Sequence, residues 1–218
     1  MGDVDDRVLR DYYEARAPSY DHAYVGASPP WVHEMVADLR AALGGRHVLE
    51  IACGTGVWTD RLAPATASIT AIDSSPAMRR IAADRLAGHP GVRVCDGDAY
   101  RLEQIEGDFD GGLAMQWLSH VPAQRRADFL DAWHRRLGAG AVVFLGDNQL
   151  TGDWGEELIR RPDEADTYEP RVVSDGRRYV IVKNYFTEDE LRALVAPAAE
   201  DLRITMGTYW WWLSYRVR

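Results

Sequence analysis

Gly54-Thr55-Gly56 lies between an apolar run ending in Ile51-Ala52-Cys53 and a stretch of helix-forming residues. Two glycines at this spacing, closing a strand and opening a helix, let backbone N–H groups approach a ligand at the carboxyl edge of a sheet. A tight turn without a ligand is the plain alternative. A dinucleotide site wants a small residue three places after Gly56, but Thr59 stands there behind the bulky Trp58, and no phosphate-binding lysine follows. Asp73 ends the next apolar run, where a carboxylate accepts both hydroxyls of a ribose; its other role is to cap the helix that follows Ser74-Ser75-Pro76. Asp98 ends a third run and is placed to accept from the exocyclic amino group of adenine. Glycines, carboxylate and carboxylate at three successive strand ends suit an adenosine without a pyrophosphate.

A second group of residues concerns the molecule that adenosine would serve. His120, in "QWLSHVP", follows a fourth strand and is a candidate to hold an acceptor oxygen or take its proton; a histidine that merely satisfies backbone groups is the alternative. Arg171, Arg177, Arg178 and Lys183 cluster in an otherwise acidic chain, either to pair with an anionic ligand or to keep a solvated strand edge from aggregating. A two-residue turn at Asp175-Gly176 would pair Val173 with Arg178. Arg171 and Arg178 then share one face and Lys183 takes the other, so a bulge, or a homodimer with the hairpin shared between two sites, is needed to bring Arg171 and Lys183 together. The histidines and the two cysteines show no metal spacing, and no metal is expected.

These residues need a sheet to hold them. Apolar runs at 46–52, 68–73, 92–98, 109–115 and 141–147 alternate with helical patterns at 76–87 and 122–137, which predicts a parallel α/β sheet. "TEDELRALVA" opens with a capping box, Thr187 to Glu190, and "DLRITMG" and "YWWWLSYRV" read as a closing antiparallel pair. On a strand, Trp210 and Trp212 face one side and Trp211 the other, which predicts core packing rather than an aromatic cage. A pocket built from Trp31, Trp117 or Trp154 is a further candidate. With 218 residues and no linker or repeat, the chain reads as one domain, 1–218, with an inserted segment at about 148–185.

Charge narrows the partners. A net charge of −9 without a basic tract leaves a nucleic-acid surface no electrostatic footprint. The N-terminus has neither the apolar core of a signal peptide nor a myristoylation signal, and no run reaches transmembrane length, so the expected compartment is the cytoplasm, away from membranes.

Taken together, "VLEIACGTG", the run Asp73-Ser74-Ser75-Pro76-Ala77-Met78 and "GDA" at 97–99 resemble the motifs of class I S-adenosylmethionine (SAM) dependent methyltransferases. The resemblance implies a Rossmann-like α/β fold with a mostly parallel seven-stranded sheet, an antiparallel final strand and, here, an inserted hairpin. It implies SAM as cofactor, contacted by Glu50, Ala52, Gly54 and Gly56 of the first motif, by Asp73, Ser74 and Met78 of the second, and by Asp98 and Ala99. "YYEARAPSYD", "GTGVWT", "WLSHVP" and "DGRRYVIVK" are similar to small phosphonate O-methyltransferases of the dehydrophos type. By that likeness Tyr12, Arg16 and Tyr20 hold the SAM carboxylate, Trp58 and Thr59 flank the cofactor, and Gln116 lies near the methionine moiety. Tyr24, Trp117, His120, Arg171, Arg178 and Lys183 are then the candidates for the acceptor. The expected reaction is in-line O-methylation of a small anionic acid, a phosphonate or carboxylate. O- or N-methylation of a neutral natural-product acceptor with His120 as base, a non-catalytic SAM-binding regulator and a nicotinamide-dependent oxidoreductase are the rivals.

Overall fold

The computed structural model describes the backbone of residues 2–24, 29–152 and 157–218 and the side chains of 6–22, 29–152 and 157–218. Two helices, α1 (Gly2–Tyr20) and α2 (Pro30–Leu43), precede the sheet. There follow β1 (His47–Ile51), α3 (Val57–Leu62), β2 (Ser68–Asp73), α4 (Pro76–Leu86), β3 (Val92–Asp96), β4 (Gly111–Met115), α5 (Arg126–Leu137) and β5 (Val142–Asn148). After these come β6 (Ile159–Arg160), β7 (Thr167–Val172), β8 (Arg178–Val182), α6 (Glu188–Val195), β9 (Ala199–Met206) and β10 (Trp210–Val217). The capping box of α6 is present as the sequence predicts. The first two helices and the two-residue β6 were not expected.

The main sheet has the order β3-β2-β1-β4-β5-β10-β9. β1 to β5 run parallel, whereas β10 lies antiparallel to both β5 and β9. Strand order reverses between β1 and β4, so a crevice opens outside their carboxyl ends, where open α/β sheets take ligands. Apolar side chains cover both faces. Leu49, Ile51, Phe129 and Trp133 belong to one core cluster, and Val48, Leu39, Met35 and Ala82 to the other. The tryptophan run divides as alternation requires: Trp211 enters the first cluster, Trp210 and Trp212 the second, with Trp210 stacked on Trp31 at 5.6 Å between ring centroids.

The hairpin corrects the expected register. Val173 N–H donates to the Arg177 carbonyl at 3.0 Å and Gly176 N–H to the Val173 carbonyl at 2.9 Å, so the loop has three residues, Ser174-Asp175-Gly176. Gly176, at φ 86°, supplies the left-handed residue that such a loop needs. Arg178 therefore pairs with Val172 instead of Val173, and Arg171 pairs with Tyr179. A slip of one residue exchanges the faces of a strand. Arg171 and Lys183 now share the inner face without any bulge, and Arg178 points outward with the exposed Val172 and Val180. The geometric reason for sharing the hairpin between two subunits disappears with the two-residue turn.

Candidate active site

A cleft of about 490 Å³ lies over the carboxyl ends of the central strands, with α1 across its top. Ala52 and Gln116, just past the ends of the adjacent strands β1 and β4, both line it, and both hold left-handed backbone, at φ 53° and 56°. Such strain in non-glycine residues concentrates at functional sites. Gly54 also lines the cleft, and a Cβ built on it would meet nothing within 4 Å. Its N–H donates to Asp73 Oδ2 at 2.8 Å, while Ser75 N–H donates to Asp73 Oδ1 at 2.8 Å. One carboxylate thus fastens the glycine loop to the end of β2 and still borders the cleft. Burial pushes the Asp73 carboxyl above its ordinary range against the pull of those two N–H groups. Ser74, Met78, Asp98 and Ala99 continue the wall.

Gly56 differs from the expectation. Its Cβ would lie 3.0 Å from Leu86 and 3.3 Å from Ala82, so it lets α4 pack against the loop and does not border the cleft. Thr59 is likewise fully buried on α3, away from the lining.

A side chamber shares Tyr20, Ala52, Gly54, Met115 and Gln116 with the cleft and is closed by Glu50, Cys53, Thr55, Val57 and Trp58. Glu50 is buried, and among the described residues its Oε2 has no hydrogen-bond partner; the same holds for Trp58 Nε1. Burial, opposed by the nearby Thr59 hydroxyl and assisted by the charge of Asp73, raises the Glu50 carboxyl to about 8. An unpaired acceptor beside an open glycine fits a ligand that carries an ammonium group.

Helix α1 contributes more than its motif implied, and on a different face. Tyr13 and Tyr20 line the cleft, whereas Tyr12 is buried, bonds Arg16 and packs edge-on against Tyr179 at 5.6 Å. Arg16 sits over the Tyr20 ring at 5.3 Å, outside the lining. Successive helical residues point about 100° apart, and here Tyr13 faces the cleft while Tyr12 packs against Tyr179. Arg7, Leu9 and Arg10 were missed by sequence reasoning and line the cleft. Three ties hold the helix down: Arg125 to Asp6 at 2.6 Å, Glu14 to Ser75 Oγ and Ala77 N–H at 2.5 and 3.0 Å, and the segment after it through Asp21 to Thr55 at 2.6 Å and to Arg85. The side chains of Tyr24 and Trp154 lie outside the described residues.

Trp117 and His120 close the far end of the cleft, next to Tyr100. His120 Nδ1 is 2.7 Å from the Val182 carbonyl, and its Nε2 is 2.8 Å from the Tyr13 hydroxyl. Burial, together with the nearby Lys183 charge, lowers its pKa to about 3, so the ring is neutral. Burial also drives the Tyr13 phenol far above its ordinary range.

The expected cations fall elsewhere. Lys183 is buried, and its ammonium donates to Ser119 Oγ at 2.8 Å, Asp147 Oδ1 at 3.0 Å and Asn148 Oδ1 at 3.2 Å, which uses all its N–H groups. The Lys183 charge holds Asp147 below the usual carboxylate range despite burial. Arg171 is ion-paired with the buried Glu169 and does not border the cleft; Arg178 is exposed on the outer face. None of the three lines the cleft.

A family model described as a methyltransferase domain matches residues 48–140. A complex of DhpI with SAM and HEP superposes with a TM-score of 0.78 at 25% identity, covering 97% of each chain. Residues 48–140 thus form a SAM-dependent methyltransferase domain of class I. Its cofactor is SAM, and its fold is the Rossmann-like methyltransferase fold. The DhpI complex with SAH gives a TM-score of 0.76, also at 25% identity, over 97% of this chain and 96% of that one. Among curated proteins, the ubiquinone biosynthesis O-methyltransferase of Pseudomonas aeruginosa is 34% identical over 110 residues, 50% of this chain and 47% of that protein. The chain thus spans about half the length of the curated relatives it matches.

Proposed function

We propose that the chain methylates an ionised oxygen of a small acid, a carboxylate or phosphonate, with SAM as donor. SAM, when bound, supplies a sulfonium methyl group: the acceptor oxygen forms the new O–C bond as the C–S bond breaks and its electron pair returns to sulfur. Asp73 would accept the ribose hydroxyls, Asp98 the adenine amino group and Glu50 the ammonium, with the Gly54 backbone beneath them. The open Cβ position of Gly54 and the unpaired Glu50 oxygen support this placement.

The observation that carries the choice of acceptor is the absence of a competent base at the acceptor end, among the described residues. His120 has its proton on Nδ1 and its Nε2 engaged by Tyr13, and it is too weak a base to take a hydroxyl proton near neutral pH. Asp6 is paired with Arg125. A neutral hydroxyl would have nothing to give its proton to, whereas an acid arrives ionised. The protein then needs only to position the acceptor and partly exclude water. Arg10 and Arg7 of α1, the latter 3.8 Å from Asp11, line the cleft and are the cations that would meet an anion in it.

The test is a panel of short carboxylic and phosphonic acids, each run beside its amide or alcohol of similar shape, with SAH release and methyl-product mass as readouts. Turnover of acids and not of their neutral partners is the expected result. Methylation confined to neutral hydroxyls would sink the proposal.

A further inference from the structure

Hydrogen-bond direction at the end of the cleft restricts the acceptor further. A carbonyl only accepts, so His120 Nδ1, 2.7 Å from the Val182 oxygen, carries the ring proton. Nε2 is then the bare nitrogen, and the Tyr13 hydroxyl 2.8 Å away must donate to it. An imidazolium would reverse that bond, but the ring is buried and the Lys183 ammonium lies close by. The single proton of Tyr13 is committed to the protein, and toward the cleft, which Tyr13 lines, its oxygen offers only lone pairs. The ring is fixed, standing edge-on to Tyr12, Tyr20 and His120 at centroid distances of 4.9, 6.1 and 5.6 Å.

We infer that Tyr13, oriented by His120, selects acceptors that present a hydrogen-bond donor, a hydroxyl or an ammonium, beside the group that receives the methyl. The nature of that receiving group, an acid, rests on the proposed function; the donor requirement does not. A group with a proton to give satisfies the Tyr13 oxygen, a methyl group leaves it unsatisfied, and an ether sets lone pair against lone pair. Sites built around a hydrogen bond discriminate strongly against analogues that cannot make it.

Three acceptor series test this, each with a hydroxyl, a methyl and a methoxy member: 3-hydroxypropanoate, butanoate and 3-methoxypropanoate; the corresponding ethylphosphonates; and catechol, 2-methylphenol and 2-methoxyphenol. Values of kcat/KM are measured at saturating SAM. The parent should prefer the hydroxyl member over the methyl member by about tenfold or more, with the methoxy member last. In Tyr13→Phe that ratio should fall to within about twofold, with SAM affinity unchanged. In His120→Leu the Tyr13 proton is released, and the methoxy member should gain on the others. A purely structural role would depress all members of a series alike and leave the ratios as they were, which would overturn the inference, as would a parent that prefers the methyl member. Turnover of the phenols alone would refute the acid reading while the Tyr13 ratio is still read in that series. A parent that neither methylates nor, in calorimetry with SAH present, binds any member overturns both.

Discussion

Glu50 illustrates how much depends on single groups in this cleft. Its carboxyl is buried, one oxygen lacks a partner, and it keeps its proton up to about pH 8, against an ordinary value of 4.5. A folded-state pKa above the unfolded one means that its contribution to stability is fully present below about pH 4.5 and is lost as pH rises toward 8. Glu50→Gln should therefore melt higher than the parent at pH 8 without ligand, and the gain should vanish near pH 4.5. Binding an ammonium beside Glu50 favours its ionised form, so SAM binding should release a proton near pH 7. Calorimetry in two buffers of different ionisation enthalpy measures this, and a parent that releases no more than Glu50→Gln would remove Glu50 from the cofactor site. Lys183 gives the opposite lesson. Sequence reasoning assigns it to the acceptor, yet it is the cation of a buried pair with Asp147. Lys183→Met should cost about 3–5 kcal/mol in urea unfolding, and Lys183→Met/Asp147→Leu should recover much of that, because the cost is an orphaned charge. A stable Lys183→Met protein with only a raised acceptor KM would return Lys183 to the acceptor site.

At the scale of elements, the two glycines of the loop separate by what surrounds them. Both hold left-handed backbone, so alanine strains either by about 1–2 kcal/mol. Gly56→Ala adds contacts with Leu86 and Ala82 and should lose more stability than Gly54→Ala, whose new methyl enters the cleft and should weaken SAM binding more. Denaturation and SAM titration of both variants check the crossing; equal effects on both quantities would contradict it. The strands and the later helices were legible because alternation and helical spacing are local signals. The hairpin was half legible: Asp175-Gly176 marked the turn, but whether Ser174 belongs to the loop decides the register, and sequence does not display that choice. With the register went the sides of Arg171, Arg178 and Lys183.

For the whole molecule, the part of the cleft over β1 to β3 was legible and the part around Tyr13 and His120 was not, for a physical reason. Gly54, Asp73 and Asp98 follow consecutive strands, so their meeting is fixed by topology. Tyr13 meets His120 only because α1 is docked over the cleft by Asp6, Glu14 and Asp21, whose partners Arg125, Ser75 and Thr55 stand far along the chain. That docking leaves Tyr13 and His120 bonded to each other and, among the described residues, no competent base beside them. The direct test of this account is the pH dependence of kcat/KM for a carboxylic acceptor at saturating SAM, measured from about pH 6 to about pH 10. A plateau across this range, falling only as the acceptor itself takes up a proton, is the result expected when no enzyme base is used. A rise of about one logarithmic unit per pH unit above neutrality would show that a group of the enzyme must lose its proton before transfer and would contradict the account.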